Sequence, residues 1–384
     1  MTSTQPHTEP VTSGKPRYEL LDGLRGVAAF LVIWFHFGEG FATSAVDQIV
    51  NHGYLAVDFF FVLSGFVLGY AYDNRWKKGS MTAGNFMLRR VIRLHPMVVM
   101  SVILGALAFL IQGSVKWDGT PVPLHNVLLA LALGLFLLPT FPGSTTDVRG
   151  NYEMFPLNGP SWSLFFEYIG SILYAVWFHR LSKRALRLVV LLSAIGLGAM
   201  AFGANEGYRT SFGWSACGLG MLGGFCRLSF SFSMGLLLSR TIKPIKIRGA
   251  FWLCAAVIAA VTLCPYIGNE KNICNVIYDL LCTYIVFPSV VYLGACGNTT
   301  DRFSTATCNF AGQLSYPIYI IHYPIMYIFY GWVWTNHLTF SEVWPICTVI
   351  FFGLILFAWL IMRYYDTPLR TYLTRRLITD KSHR

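Results

Sequence analysis

Leu21-Asp22-Gly23-Leu24-Arg25-Gly26-Val27-Ala28-Ala29-Phe30-Leu31-Val32-Ile33-Trp34-Phe35-His36 is an apolar stretch that carries three ionisable side chains. It belongs to an apolar run over 20–38, about the length a helix needs to cross a bilayer. Ten more such runs follow, near 53–72, 91–112, 124–140, 162–179, 186–203, 222–239, 249–267, 274–294, 313–334 and 342–363. Within lipid, a chain satisfies its own backbone polar groups most simply as helix. The recurrence therefore predicts an all-α polytopic membrane protein. Composition agrees: 55% of the 384 residues are hydrophobic and only 12% charged, against about 25% charged in a soluble domain. These values exclude a disordered chain and argue against a soluble globular one.

The net charge of +11 would suggest nucleic acid in a soluble protein. Here the positions of the charges matter more than their sum. Linkers 73–93, 180–187 and 240–248 and the region from Arg363 onward are rich in Lys and Arg. On the opposite side, loops hold only Lys116, Arg149, Arg209 and Lys271. The positive-inside rule then places both termini in the cytoplasm. It also exposes a conflict. Linkers 73–93 and 180–187 lie on one side, so an even number of crossings must separate them, yet three apolar runs intervene. Segment 124–140 is short and ends in Pro139 and Pro142, and it is read as re-entrant or peripheral. About ten transmembrane helices remain. The organisation expected is a polar cytoplasmic tail over 1–19, one transmembrane domain over 20–363 and a basic cytoplasmic tail over 364–384. No short apolar stretch with a small-residue cleavage site precedes the first span, which argues against a cleaved leader.

An ionisable residue inside a span is costly and is a functional candidate by default. Arg25 and His36 are eleven residues apart, which at about 100° per residue brings them to one helix face, separated by roughly 16 Å along the axis. Asp22 is one turn before Arg25 and able to pair with it. Asp58, Glu167, Arg227 and Asp279 each enter other spans near the same end as His36. A carboxylate beside His36 would fix its tautomer and raise its basicity, which suits proton transfer near neutral pH. The alternative is a set of buried ion pairs that locks helices together.

Arg89, Arg90 and Arg93 open the third span. Guanidinium groups at a cytoplasmic mouth can hold phosphates, and they can equally be positive-inside anchors. Ser315, Tyr319 and His322 share a face of a span that Pro317 and Pro324 should kink. That face suits a cavity wall, or a satisfied structural His. Ser64 lacks the strand-turn-helix setting of a nucleophile elbow, and helix packing through Ser64 and Gly65 is the favoured reading. The nine Cys include no CxxC pair, so no metal site is expected. Cys264 and Cys274 flank one short loop and are the one pair considered for a bridge.

Five stretches in order resemble the membrane-bound acyltransferase family 3. They are Leu21–Ala29 with ten residues between Arg25 and His36, Val57-Asp58-Phe59-Phe60-Phe61-Val62-Leu63-Ser64-Gly65-Phe66, the Arg-rich run at 89–93 with Pro96, Pro160-Ser161-Trp162-Ser163-Leu164 with Glu167, and Leu314-Ser315-Tyr316-Pro317-Ile318-Tyr319 with His322. Asp366-Thr367-Pro368-Leu369-Arg370 stands where the family often has Glu-x-Pro-x-Arg. The resemblance implies an integral protein of the bacterial inner membrane. It would move an acyl group, often acetyl, from cytoplasmic acyl-CoA to a hydroxyl of a glycan or lipid-linked saccharide. Acyl-CoA would be a co-substrate, with no bound cofactor, no metal and no nucleic-acid partner. It further implies His36 as general base, with Glu167 or Asp58 orienting it. Arg25 would bind the pantetheine end or polarise the thioester carbonyl. Arg89, Arg90 and Arg93 would hold the CoA phosphates, and Asp58, Ser64, Trp162, Tyr319 and His322 would line the site. A transporter of a glycan or lipid is the rival class, because transport paths also use intramembrane charge.

Overall fold

The computed structural model describes residues 18–203, 210–242, 247, 249–299 and 301–379. Lys15, Arg17, Arg209, Lys243, Lys246, Arg248, Lys381 and Arg384 lie outside the described residues, as do most of the predicted N-terminal tail and the last five residues of the C-terminal one. The described chain is helical, with two isolated bridges, Val115 to Pro121 and Ile247 to Gly297. In chain order the helices are α1 (Glu19–Glu39), α2 (Ala56–Lys77), α3 (Ala83–Ile111), α4 (Leu124–Leu135), α5 (Ser161–Val176), α6 (Lys183–Gly203), α7 (Gly218–Thr241), α8 (Ala250–Leu263), α9 (Ile273–Leu281), α10 (Phe287–Cys296), α11 (Arg302–Thr335), α12 (Phe340–Ile361) and α13 (Thr367–Thr374).

The starts of several helices are written locally. The Thr82 hydroxyl accepts from the Asn85 N–H to open α3, and Asp301 accepts from the Ser304 N–H to open α11. Thr339 and Glu342 form a reciprocal capping box at α12. A π turn at Cys282–Val286 joins α9 to α10 just before Pro288, and another at Met362–Asp366 joins α12 to α13 just before Pro368. The wider turn makes room for a ring that can neither donate to the preceding turn nor pass its carbonyl.

Among the described residues seven helical stretches are long and apolar enough to cross a membrane: Glu19–Glu39, Gly53–Lys77, Ala83–Ile111, Lys183–Gly203, Gly218–Thr241, Ile273–Cys296 and Phe340–Ile378. Helices α5 and α8 are shorter, at 16 and 14 residues. Helix α11 is the longest at 34 residues, but its Ser, Tyr, Gln and His residues lower its hydropathy. Helix α4 has 12 residues, about 18 Å, short of a hydrocarbon core about 30 Å thick. It lies on the outside of α3, with Gly134 against Val102 and with Leu128 and Leu129 exposed. Exposed Leu and Phe side chains also run along α6 and α12, whose apolar windows are only 22% buried. An apolar outer surface of this kind belongs in lipid.

At the centre α1 packs along α11, α2 along α7, and α11 against α3. Close approach depends on glycine. A Cβ at Gly26 would strike the Ala311 backbone, and one at Gly65 or Gly235 would strike the carbonyl of Phe232 or Val62 respectively. The packing expected of Ser64-Gly65 is therefore carried by Gly65. Neither Cys264 nor Cys274 is in a disulfide, so the considered bridge between them is not formed.

Candidate active site

The α1–α11 seam carries Arg25 and His36, both on α1. Arg25 Nε donates to Ser315 Oγ at 2.7 Å and its Nη2 to the Gly312 carbonyl at 3.2 Å, with Asp22 at 3.4 Å. Three turns on, the His36 ring stacks on His322, with centroids 5.2 Å apart, and meets Tyr323 edge-on at 4.7 Å. The one-face arrangement expected of Arg25 and His36 is thus a shared contact with α11.

Three cavities follow this seam in a row. A histidine chamber of about 600 Å³ is walled by His36, Glu39, Glu153, Trp162, Tyr319 and Tyr323, among others. A neck of about 90 Å³ is lined by Arg25, Ser64, Arg90, Arg93, Glu167 and Tyr319. A basic vestibule of about 960 Å³ holds Arg25, Arg75, Lys78, Arg93, Arg363 and Arg370. Tyr319 lines both chamber and neck, while Arg25, Arg93 and Tyr316 line both neck and vestibule. Arg89, Arg93, Arg370 and Arg375 border a further cavity of about 510 Å³ beside the vestibule. A charge-lined opening at one end is thus joined through a narrow waist to an imidazole at the other.

A sequence model described as "Acyltransferase domain" matches residues 18–363. The chain belongs to the membrane-bound acyltransferase family 3. It is 38% identical over 188 residues to "Protein 2 in picA locus" of Rhizobium radiobacter, which covers 47% of this chain and 93% of that protein. It is 30% identical over 183 residues to the acyltransferase MdmB of Streptomyces mycarofaciens, covering 44% of this chain and 42% of that one. The peptidoglycan O-acetyltransferase OatA of Listeria monocytogenes is 23% identical over 367 residues, or 91% of this chain. The chain spans 55% of OatA, about half the length of these two acyltransferases. No solved structure matches. This family member is accordingly an acyltransferase and an integral membrane protein.

The family residues are distributed differently from the sequence expectation. The carboxylate on His36 is neither Glu167 nor Asp58. It is Glu39, whose Oε2 lies 2.5 Å from His36 Nδ1 and also accepts from Tyr330. Glu167 instead accepts from Arg90 at 2.5 Å and from Ser64 at 3.0 Å, in the neck. Asp58 is sealed in a two-pronged pair with Arg227, at 2.7 and 3.1 Å. Of the three arginines, Arg93 reaches the vestibule and Arg89 the side cavity. Arg90 departs from the expectation: it is buried and also donates to Ser171, so it faces the neck and not the mouth. Ser64 turns into the neck, Trp162 stands over Arg227 at 5.3 Å, and Tyr319 bonds Ser163 at 2.8 Å. His322 is fully buried, with Nδ1 3.1 Å from the Ile318 carbonyl and Nε2 unpartnered among the described residues. Asp366 and Arg370 pair at 3.0 Å on the vestibule wall.

Sequence reasoning missed Glu39 because it lies just beyond the apolar run, although its i, i+3 spacing from His36 was a usable signal. It also missed Glu153, in the loop after α4. Glu153 accepts from Tyr327 and from Asn151, and burial pushes its carboxyl up to about 7 against the opposing pull of Tyr327 and Arg149. Arg149 nearby is 1% exposed, with its guanidinium 3.5 Å from the Tyr327 ring centre. No periodicity marks a loop, and no sequence signal pointed to this cluster.

Proposed function

We propose that this chain is a membrane O-acyltransferase that moves an acyl group, acetyl in the simplest case, from cytoplasmic acyl-CoA to a hydroxyl of a glycan or related cell-surface acceptor. In this reading the basic vestibule faces the cytoplasm, the histidine chamber opens outward, and about ten helices cross a bacterial inner membrane with both termini inside. The observation that carries the reading is the row of cavities. CoA is polyanionic at its nucleotide end, which suits Arg75, Lys78, Arg93, Arg363 and Arg370. Its pantetheine arm is slender and uncharged, which suits a neck of only about 90 Å³. The same waist disfavours the rival reading of a glycan or lipid transporter. OatA, an O-acetyltransferase of peptidoglycan by name, makes a glycan the favoured acceptor class.

The chemistry follows from His36. An acceptor hydroxyl entering the chamber gives its proton to His36 Nε2, while Glu39 holds Nδ1 and the ring's orientation. The acceptor oxygen attacks the thioester carbonyl carbon, the C–S bond then breaks, and the imidazolium returns the proton to the departing sulfur. General-base help of this kind is worth about 10²–10⁴-fold. Purified protein in detergent, supplied with acetyl-CoA and a glycan acceptor, should release CoA and form an ester. His36→Ala should lower that rate by about 10²–10⁴-fold while acetyl-CoA still binds. Undiminished turnover in the variant would sink the assignment.

A further inference from the structure

The reaction just described develops negative charge on the thioester oxygen, and something in the chamber must stabilise it. Arg25 is the charged candidate from the sequence. It stands at the far end of the neck, bordering the vestibule, and is engaged by Ser315, Gly312 and Asp22. His36 lines the chamber and not the neck. A carbonyl within reach of a hydroxyl activated by His36 is therefore on the other side of the waist from Arg25.

Tyr319 occupies that junction. Among the described residues it alone lines both chamber and neck, so an acyl group threaded through the neck toward His36 passes its side chain. It lies on α11 one turn before His322 and Tyr323, the two rings packed against His36. Its phenol meets Ser163 Oγ at 2.8 Å. Ser163 has a single proton, and its hydroxyl donates that proton to the Pro160 carbonyl at 2.9 Å. The proton shared between Tyr319 and Ser163 consequently belongs to Tyr319. A neutral phenol in a buried setting, with its proton resting on a weak acceptor, is a ready donor to an oxyanion.

We infer that Tyr319 is a catalytic residue of the acyl transfer, donating a hydrogen bond to the oxyanion that forms when the acceptor attacks the thioester. The inference rests on the acyl-CoA reading above. As the acceptor O–C bond forms, the carbonyl electron pair moves onto oxygen and the Tyr319 O–H turns from Ser163 to it. As the C–S bond breaks, the pair returns to the carbonyl and the phenol returns to Ser163. Tyr319 keeps its proton throughout, and His36 alone carries the transferred one.

Tyr319→Phe and Ser163→Ala separate this role from packing. With acetyl-CoA and a glycan acceptor, Tyr319→Phe should lower kcat by about 10²–10³-fold, the range for one oxyanion donor, with the KM for acetyl-CoA little changed. It should bind an unreactive ketone analogue of acetyl-CoA, which has no leaving sulfur, as tightly as the unsubstituted protein. Ser163→Ala removes only the resting partner and should cost less than about tenfold. A kcat retained in Tyr319→Phe would overturn the inference. Equal losses in the two variants would overturn it too, because the bond would then be structural. If the unsubstituted protein neither binds nor turns over acetyl-CoA, the reading of the donor fails first, and the role of Tyr319 fails with it.

Discussion

Two carboxylates near the histidine chamber each hold a basic partner, and their surroundings differ sharply. Asp58 faces Arg227, whose Nε and Nη2 go to the carboxylate, Nη1 to the Phe212 carbonyl at 2.7 Å, and Nη2 also to the Tyr54 carbonyl at 3.1 Å. Trp162 covers the guanidinium, and the paired side chains are 2% and 1% exposed. Glu39 faces His36, where one ring nitrogen is held and Nε2 has no hydrogen bond among the described residues. The Glu39 carboxyl is 30% exposed to the chamber. Both pairs look alike as intramembrane charge. Saturation distinguishes them: a partner with every nitrogen committed locks helices, and one with an uncommitted nitrogen in a cavity is able to react.

The comparison breaks most visibly by removing Arg227. Arg227→Leu would leave Asp58 buried and uncompensated, which typically costs about 3–5 kcal/mol. Thermal unfolding in detergent should register it as a large loss of stability. The paired change Asp58→Asn with Arg227→Leu should recover part of the loss, since no lone charge then remains. If Arg227→Leu left stability intact and stopped turnover, the lock would have to be redrawn as part of the site.

The smaller lever is Glu39→Gln. The amide keeps the shape but no longer favours the proton on Nδ1, so the tautomer with Nε2 free is less populated. Turnover should fall by about tenfold or more with stability little changed, and Glu167→Gln should not reproduce that loss. A Glu167→Gln variant that lowered turnover to that extent while Glu39→Gln did not would restore the carboxylate first expected from the sequence.

The division between lock and site also marks what the sequence could say. Span-length apolar runs are dictated by the need to satisfy backbone groups in lipid, so the helical class and the short segment at 124–140 were legible. Helix periodicity placed Arg25 and His36 on one face, and that face does meet α11. Periodicity places a residue around its own helix and gives no distance to another helix. The partners of His36, Asp58 and Arg90 were therefore open. Arg89 and Arg93 share a face, whereas Arg90, 100° from Arg89, turns into the neck toward Glu167. Helices α5, α8 and α11 stray from simple hydropathy because they are short or wall the cavities, and polar residues along a cavity wall are the ones a site requires.

Glu153 offers the finest test of what burial does to a carboxylate that lacks a direct basic partner. Its hydrogen bonds come from Tyr327 and Asn151, and burial dominates, holding the carboxyl at about 7. An unfolded Glu titrates near 4.3, so between roughly pH 4.5 and 7 the native state binds a proton that the unfolded state has lost. The sign follows: this group's contribution to stability is fully present below about pH 4.5 and declines as pH rises to about 7. The size is at most about 3–4 kcal/mol by linkage. Glu153→Gln keeps the hydrogen-bonding shape without a titration. Its melting temperature should therefore fall less between pH 5 and 8 than that of the unsubstituted protein. Parallel pH profiles for the two proteins would mean that Arg149 and Tyr327 hold Glu153 ionised across the range, and this cluster would then join Asp58–Arg227 among the locks.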